Sequence, residues 1–429
     1  VTEQYLDMER RHKLSISSAT FSIAILLLLL AGTCYLSYSN RCIDGCGPYH
    51  NSSSVADLDG DGDLDVVLSN LRHETETIIW AGPTLWINQG GVRFTPRRVE
   101  MGGPSSASGD IDSDGDADII QMGYHAAIYL NQGDEQGGVL GEFTGRRGVA
   151  PRENQHNWST PGTVVLADLN NDTHLDILVS YCCSMLIDRE HFTGGLQPFQ
   201  PWVWINPSEM NSKSLGSGEK LYSLGDLPMR PTLGDLDGDG DLDVYAALLP
   251  PKGEKYDTAD RVLLNDGSGN FIDSGQRLQN PSKTGAAASA GVALGDLDGD
   301  GDLDALVGKA AGALIWTNQG GAQGGQIGVF ASSDQRLGRH PVEAAFLGDL
   351  DSDGDLDALI AEKSQAVIWW NDGQANFRDS GQRLRFTERH GLAVSDFNDD
   401  GYLDFFAAAY DTDYHLWLNQ GDGRLVETN

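Results

Sequence analysis

Between Asp296 and Asp304 the chain reads DLDGDGDLD, with aspartate at every odd position, glycine at four and six, and leucine at two and eight. Carboxylates held this close repel one another unless a counter-charge lies among them, and the whole chain already carries a formal charge of −34. Carboxylates at positions one, three, five and nine can converge on one point if the glycine at six lets the backbone curl. Position seven can add its backbone carbonyl. Many hard anionic oxygens in a flexible arrangement suit Ca²⁺, which takes about 6–8 oxygen ligands; Mg²⁺ demands a stricter octahedron and keeps more water. A bound dication would cancel the repulsion, so cation binding is the chemistry this spacing predicts.

The stretch occurs seven times, at spacings of 47 to 67 residues. The first copy supplies Asp57, Asp59, Asp61, Asp63 and Asp65, and the second Asp110, Asp112, Asp114, Asp116 and Asp118. The third holds Asp168, Asn170, Asp172, His174 and Asp176, and the fourth Asp235, Asp237, Asp239, Asp241 and Asp243. Asp296, Asp298, Asp300, Asp302 and Asp304 form the fifth, and Asp349, Asp351, Asp353, Asp355 and Asp357 the sixth. The last has Asp396, Asn398, Asp400, Tyr402 and Asp404. Up to seven Ca²⁺ ions are therefore expected. The third site should be the weakest or empty, because Thr173 replaces the glycine at six and Asn170 removes a charge. The seventh also has asparagine at position three but keeps Gly401, and is expected to bind. An EF-hand is excluded: position twelve is Leu68, Gln121, Val179, Ala246, Val307, Ile360 or Ala407, never a carboxylate.

The elements around each loop follow one grammar. A short apolar strand leads in, a second follows the loop, and a third ends in asparagine, as in LWINQGG and VIWWNDG. The NDG and NQG pieces are hairpin-turn chemistry, because Asn and Gly tolerate positive φ, and a fourth strand follows, as in NFIDSGQRL (270–278). Four short strands per copy without helical periodicity describe a propeller blade, and seven blades lie within the usual range of about 4–8. Two residues before each asparagine stand Trp86, Tyr129, Trp204, Leu263, Trp316, Trp369 and Trp417. Their equivalent placement predicts packing between blades rather than a ligand-stacking surface.

With these residues in view, the chain resembles the FG-GAP/VCBS-type repeat family, which includes the integrin α-subunit propeller. The resemblance spans about residues 50–429 and implies one Ca²⁺ per blade, in the hairpin between the first two strands. It carries the side-chain ligands onto positions one, three, five and nine of each copy. The expected fold class is all-β: a seven-bladed β-propeller over 51–429, preceded by an N-terminal apolar helix.

That helix is expected within residues 1–39. ERRHK (9–13) precedes an apolar run near 16 residues long, FSIAILLLLLAGTCYL (21–36). A membrane span needs about 20 residues and a signal-peptide core about 7–15, so signal-anchor, cleaved signal peptide and lipid anchor all stay open. Each sends the remainder across the membrane, which predicts a cell-surface or extracellular protein. A linker over 40–50 carries Cys42 and Cys46, which with Cys182 and Cys183 are disulfide candidates in an exported chain. Asn51, Asn157 and Asn171 begin glycosylation sequons.

Asp plus Glu (63) far outnumber Lys plus Arg (29), which argues against a nucleic-acid partner. The ten histidines form no spaced metal pair and no nucleophile-elbow motif occurs, so no catalytic constellation emerges. Long insertions between second and third strands, or between blades, fall in blades one to four and on the face opposite the acidic loops. Such loops are where a rigid scaffold carries binding. A protein or glycan partner is expected there, with Arg72, His73, Tyr124, His125, Arg146, Arg147, His191, Phe192, Lys252, Lys255 and Tyr256 as candidate contacts. Cell-surface adhesion or recognition, with structural calcium, is the function this predicts. Self-assembly through the N-terminal helix and a polysaccharide-acting enzyme are the alternatives.

Overall fold

The computed structural model describes residues 53–69, 71–74, 77–80, 84–98, 105–122, 126–133, 139–147, 159–184, 201–206, 219–220, 229–248, 259–279, 291–320, 324–362, 364–386, 391–409 and 413–428. The expected apolar helix and the Cys42/Cys46 linker lie outside them. Among the described residues no helix is long and apolar enough to cross a membrane.

Seven four-stranded antiparallel sheets follow one another along the chain. Blade one comprises β1 (Ser53–Ala56), β2 (Asp65–Leu68), β5 (Thr84–Asn88) and β6 (Phe94–Arg98); an inserted hairpin, β3 (Leu71–Glu74) and β4 (Thr77–Trp80), forms its own small sheet. Blade two is β7 (Ser105–Gly109), β8 (Asp118–Met122), β9 (Ala126–Asn131) and β10 (Phe143–Arg147). Blade three is β11 (Ser159–Ala167), β12 (Asp176–Ser184), β13 (Trp202–Trp204) and β14 (Glu219–Lys220). Blade four is β15 (Met229–Gly234), β16 (Asp243–Leu248), β17 (Arg261–Asn265) and β18 (Phe271–Asp273). In blade five stand β19 (Val292–Gly295), β20 (Asp304–Lys309), β21 (Gly312–Asn318) and β22 (Phe330–Leu337). Blade six has β23 (Ala344–Gly348), β24 (Asp357–Glu362), β25 (Gln365–Trp370) and β26 (Arg378–Arg385). Blade seven has β27 (Gly391–Ser395), β28 (Asp404–Ala409), β29 (Asp413–Asn419) and β30 (Leu425–Glu427).

The register is the same in each blade. The aspartate at loop position nine opens the second strand and pairs with the residue just before position one, as in Gly295↔Asp304 and Gly348↔Asp357. The acidic stretch is therefore a hairpin loop whose two ends are locked by the sheet.

Seven apolar clusters occupy the seams, one between each pair of neighbouring blades. Leu58, Val67, Leu85 and Ile87 of blade one pack with Ile119, Ala127 and Tyr129 of blade two. The same pattern continues around the ring and closes where Val66, Leu68, Trp86 and Phe94 meet Phe397, Phe406 and Leu416 of blade seven. The equivalent Trp/Tyr/Leu positions all serve these clusters, as their recurrence predicts. Among the described residues, blade seven is built wholly from the last four strands, with no strand from the other end of the propeller in its sheet. Closure rests instead on side chains: the Ser53 hydroxyl donates to the Leu392 carbonyl at 2.5 Å. Trp86, Phe94, Phe397, Phe406 and Tyr414 form an aromatic group with ring centroids 4.8–5.9 Å apart.

Candidate metal centres

Each loop is wound by its first aspartate. Asp57 accepts from the amides of Gly60 and Gly62 at 2.7 and 3.0 Å, and Asp296 does the same for Gly299 and Gly301 at 2.8 and 3.0 Å. The winding puts position four at positive φ in every copy, including Ser113 (63°), Asn171 (59°), Ser352 (64°) and Asp399 (57°). Position six lies further into that region, at 88–98° for its six glycines. Thr173 takes the same turn at 74° without a glycine's freedom, so the third loop forms at the cost of strain of about 1–3 kcal/mol.

Winding brings carboxylates together. One oxygen from each of Asp57, Asp59 and Asp61 lies within 4.8 Å of the others, as do those of Asp235/Asp237/Asp239, Asp296/Asp298/Asp300 and Asp349/Asp351/Asp353. In blade two the trio is Asp110, Asp112 and Asp118, so position nine replaces position five. Position three holds an oxygen without a partner. Oδ1 of Asp59, Asp112, Asp237 and Asp351 is buried and accepts no hydrogen bond. Burial first, and then the neighbouring carboxylates, push Asp59, Asp237 and Asp351 above the usual carboxylate range; Asp112 reaches about 6. A carboxylate with one buried, unpartnered oxygen beside two other carboxylates is costly without a cation and fits one well. Among the described residues, these five blades carry acidic groups that fit a hard dication.

Blades three and seven satisfy position three differently. Nδ2 of Asn170 donates to Asp172 at 3.0 Å, and its Oδ1 accepts the Asp172 amide at 3.2 Å. Asn398 repeats this with Asp400 at 2.9 and 3.1 Å. A neutral amide here provides the donor that a cation would otherwise replace, so a cation would have to displace those hydrogen bonds.

The following blade helps to bury position three. A Cβ placed on Gly141, Gly328 or Gly423 would sit 3.0, 2.9 or 2.8 Å from the Cβ of Asp59, Asp237 or Asp351, respectively. Each of these glycines lies in the third-to-fourth hairpin of the next blade, packed over the preceding loop. Position seven stands apart from the trios: Asp63, Asp241 and Asp355 lie over the turn glycines Gly90, Gly267 and Gly373 of their own blades, and Tyr402 lies over Gly421. His174 turns its Nδ1 toward the Asp172 carbonyl at 3.0 Å.

Position nine has a second role that spacing alone does not disclose. In all seven blades its Oδ2 accepts the position-two amide at 2.9–3.1 Å. Its Oδ1 accepts the backbone amide of the asparagine ending the third strand at 2.6–2.9 Å. These aspartates are fully buried, and desolvation outweighs the two N–H donors. Asp65, Asp118, Asp304 and Asp357 are raised to about 7, Asp243 and Asp404 to about 6.

The asparagines carry the connection across each seam. Asn88, Asn131, Asn206, Asn265, Asn318, Asn371 and Asn419 each donate Nδ2 to the position-two carbonyl of the preceding blade, at 2.8–3.2 Å. Position two, position nine and asparagine thus alternate in a hydrogen-bonded circuit that runs through every blade and closes from blade seven to blade one. Read from the sequence, these asparagines are turn residues. Their recurrence at one position in all seven copies is the signal that could have disclosed more. A second latch lies in the QRL shared by blades four, five and six: Gln276, Gln335 and Gln382 each donate to a carbonyl and accept an amide of the next blade's hairpin.

On the opposite face the described residues give less. Arg72 and His73 lie on β3, and Arg146 and Arg147 on β10. Tyr124, His125, His191, Phe192, Lys252, Lys255 and Tyr256 lie outside the described residues. A buried ion pair ties blades four and five near that face, where Lys309 Nζ meets Asp260 Oδ2 at 2.7 Å and both side chains are almost wholly inaccessible.

Fold and loops together define a seven-bladed β-propeller with an acidic hairpin loop in each blade. The family model of the FG-GAP-like repeat matches residues 110–179 and 235–307, which run from the loop of one blade into the second strand of the next. The chain is a seven-bladed β-propeller, and two stretches of it match the FG-GAP-like repeat. Among solved structures it is similar to a lectin of Agrocybe aegerita that recognises non-reducing terminal N-acetylglucosamine. That match has 20% identity and a TM-score of 0.50, and covers 84% of this chain and 86% of the lectin. It is also similar to a periplasmic gluconolactonase of Pseudomonas aeruginosa, at 14% identity and a TM-score of 0.48, covering 78% of this chain and 86% of that one. No curated protein sequence matches the chain.

Proposed function

We propose that this chain is a calcium-stabilised recognition module of the cell surface or extracellular space, tethered or exported through its N-terminal apolar segment. The observation that carries the calcium reading is the buried, unpartnered position-three oxygen at the centre of an acidic trio. Such an atom is stabilised by a dication and destabilised by its removal. Asp57, Asp59 and Asp61 would hold the ion in blade one, with equivalent residues in blades four, five and six and Asp110, Asp112 and Asp118 in blade two; blades three and seven would bind more weakly. The ion supplies charge neutralisation and rigidity. It sits in the propeller frame, so recognition is assigned to the insertions on the other face, toward a glycan or protein.

A glycan is consistent with what the similarly folded lectin recognises, and the insertion at 181–201 is the first segment to test. Chelation should lower the melting temperature, and excess calcium should restore it. Saturation at about 100 times the dissociation constant is worth about 2.7 kcal/mol per site. Identical melting curves with calcium and with chelator would refute the calcium reading. Replacing 185–200, the part of this insertion beyond β12, by a short turn should abolish retention on a glycan or protein array while leaving the melting curve intact; unchanged retention would refute the placement of the recognition face.

A further inference from the structure

We infer that cation binding is coupled between neighbouring blades through the asparagine circuit, so that the loops fill cooperatively around the ring. The inference rests on the calcium reading above. Position two lies between two cation-facing aspartates, one and three, so contraction of a loop around its ion moves both polar groups of position two. Its amide is held by position nine of the same blade, and its carbonyl anchors the asparagine of the next. In blade five these contacts are Leu297 N–H to Asp304 at 2.9 Å and Asn371 Nδ2 to the Leu297 carbonyl at 2.8 Å.

Asn371 passes the constraint on. Its own amide holds Asp357 at 2.9 Å, and Asp357 in turn holds the Leu350 amide, at position two of the blade-six loop, at 3.1 Å. In the other direction Asp304 accepts the Asn318 amide at 2.7 Å, and Asn318 reaches the Leu236 carbonyl of blade four at 2.9 Å. All these linking side chains are buried, so water offers no substitute partner when one link shifts. The overlying hairpin glycines add a steric route: Gly328 of blade five rests on Asp237 of blade four. A site is thus completed by two blades, and the free energy of ordering is shared between them. Coupling of this kind is reciprocal, so filling blade six must favour blade five as much as the reverse.

The test uses the full chain, calcium chloride and hydrogen exchange read by mass spectrometry. The Asp298→Asn/Asp300→Asn double variant disables the blade-five loop. The calcium concentration that half-protects amides 235–243 and 349–357 should then rise about fivefold. Adding Asn371→Ala removes one of two donors from blade six to the Leu297 carbonyl, the Ala375 amide at 2.8 Å being the other, so the response of 349–357 to the blade-five lesion should shrink while that of 235–243 is unchanged. If Asn371→Ala fails to fold, the double variant decides by itself. Unchanged half-protection in both neighbours overturns the coupling while leaving calcium binding intact. Absence of any calcium-dependent protection in the parent chain overturns both.

Discussion

Replacing Asp304 by alanine separates the loop's architectural carboxylate from its cation-facing ones. Asp304 is inaccessible and accepts two buried amides, Leu297 N–H at 2.9 Å and Asn318 N–H at 2.7 Å. Alanine leaves both donors without partners, at about 1–3 kcal/mol each, and relief of one desolvated carboxylate offsets part of that. A net loss of about 3 kcal/mol is expected in chelator, where no ion contributes. An unfolding entropy of about 2.1 cal/mol/K per residue over a propeller of this size makes that a fall in melting temperature of about 4 °C. Asp300→Asn changes a trio carboxylate instead. In chelator it removes a like charge beside Asp298 and Asp296, so it should leave the melting temperature unchanged or raise it; in calcium it should lower it. Differential scanning calorimetry of both variants in both buffers reads all four values. Equal losses for the two variants in chelator would refute the division between holding the fold and holding the ion.

Thr173→Gly should relieve the strained turn of the third loop and stabilise the chain by about 1 kcal/mol, read as a shift in the urea midpoint. Gln382→Ala removes a donor to Gly423 and an acceptor for the Leu425 amide, and should cost about 1–2 kcal/mol in the same assay. The pH dependence of the metal-free protein follows from the position-nine aspartates, whose folded pKa values of about 6 to 7 lie above their unfolded ones. The folded state binds protons more tightly. Its advantage is therefore complete below about pH 4 and is lost as pH rises through 6 to 7. Thermal melts in chelator between pH 5 and 8 should show falling stability, and calcium affinity should rise over the same window as bound protons are released.

Seven blades of four strands were legible because the acidic loop and the third-strand asparagine punctuate each copy identically. Positions one, three and five were legible as converging carboxylates, since their alternation survives folding unchanged. The same alternation makes position nine a fourth ligand. The structure brings it into a trio in blade two and commits both its oxygens to backbone amides in every blade, a contact that depends on how the third strand lies beside the loop. Asparagine at a turn has a sufficient local explanation, and that hides its partner: Asn318 and the Leu236 carbonyl are 82 residues apart. The insertions on the opposite face have no internal repeat to read against, so only their length marked them. Much of them, with the N-terminal segment, lies outside the described residues.

Six of the seven seams are crossed by the polypeptide itself, since each blade is one contiguous stretch. The seventh, between blade seven and blade one, has no peptide link. It is also where Trp86, Phe94, Phe397, Phe406 and Tyr414 gather. Were the protein held at its N-terminus and pulled through a bound ligand, that join would have to resist through noncovalent contacts, without a peptide link across it. The rings that interlock there act as a clasp against shear, at the one join that the polypeptide itself does not cross.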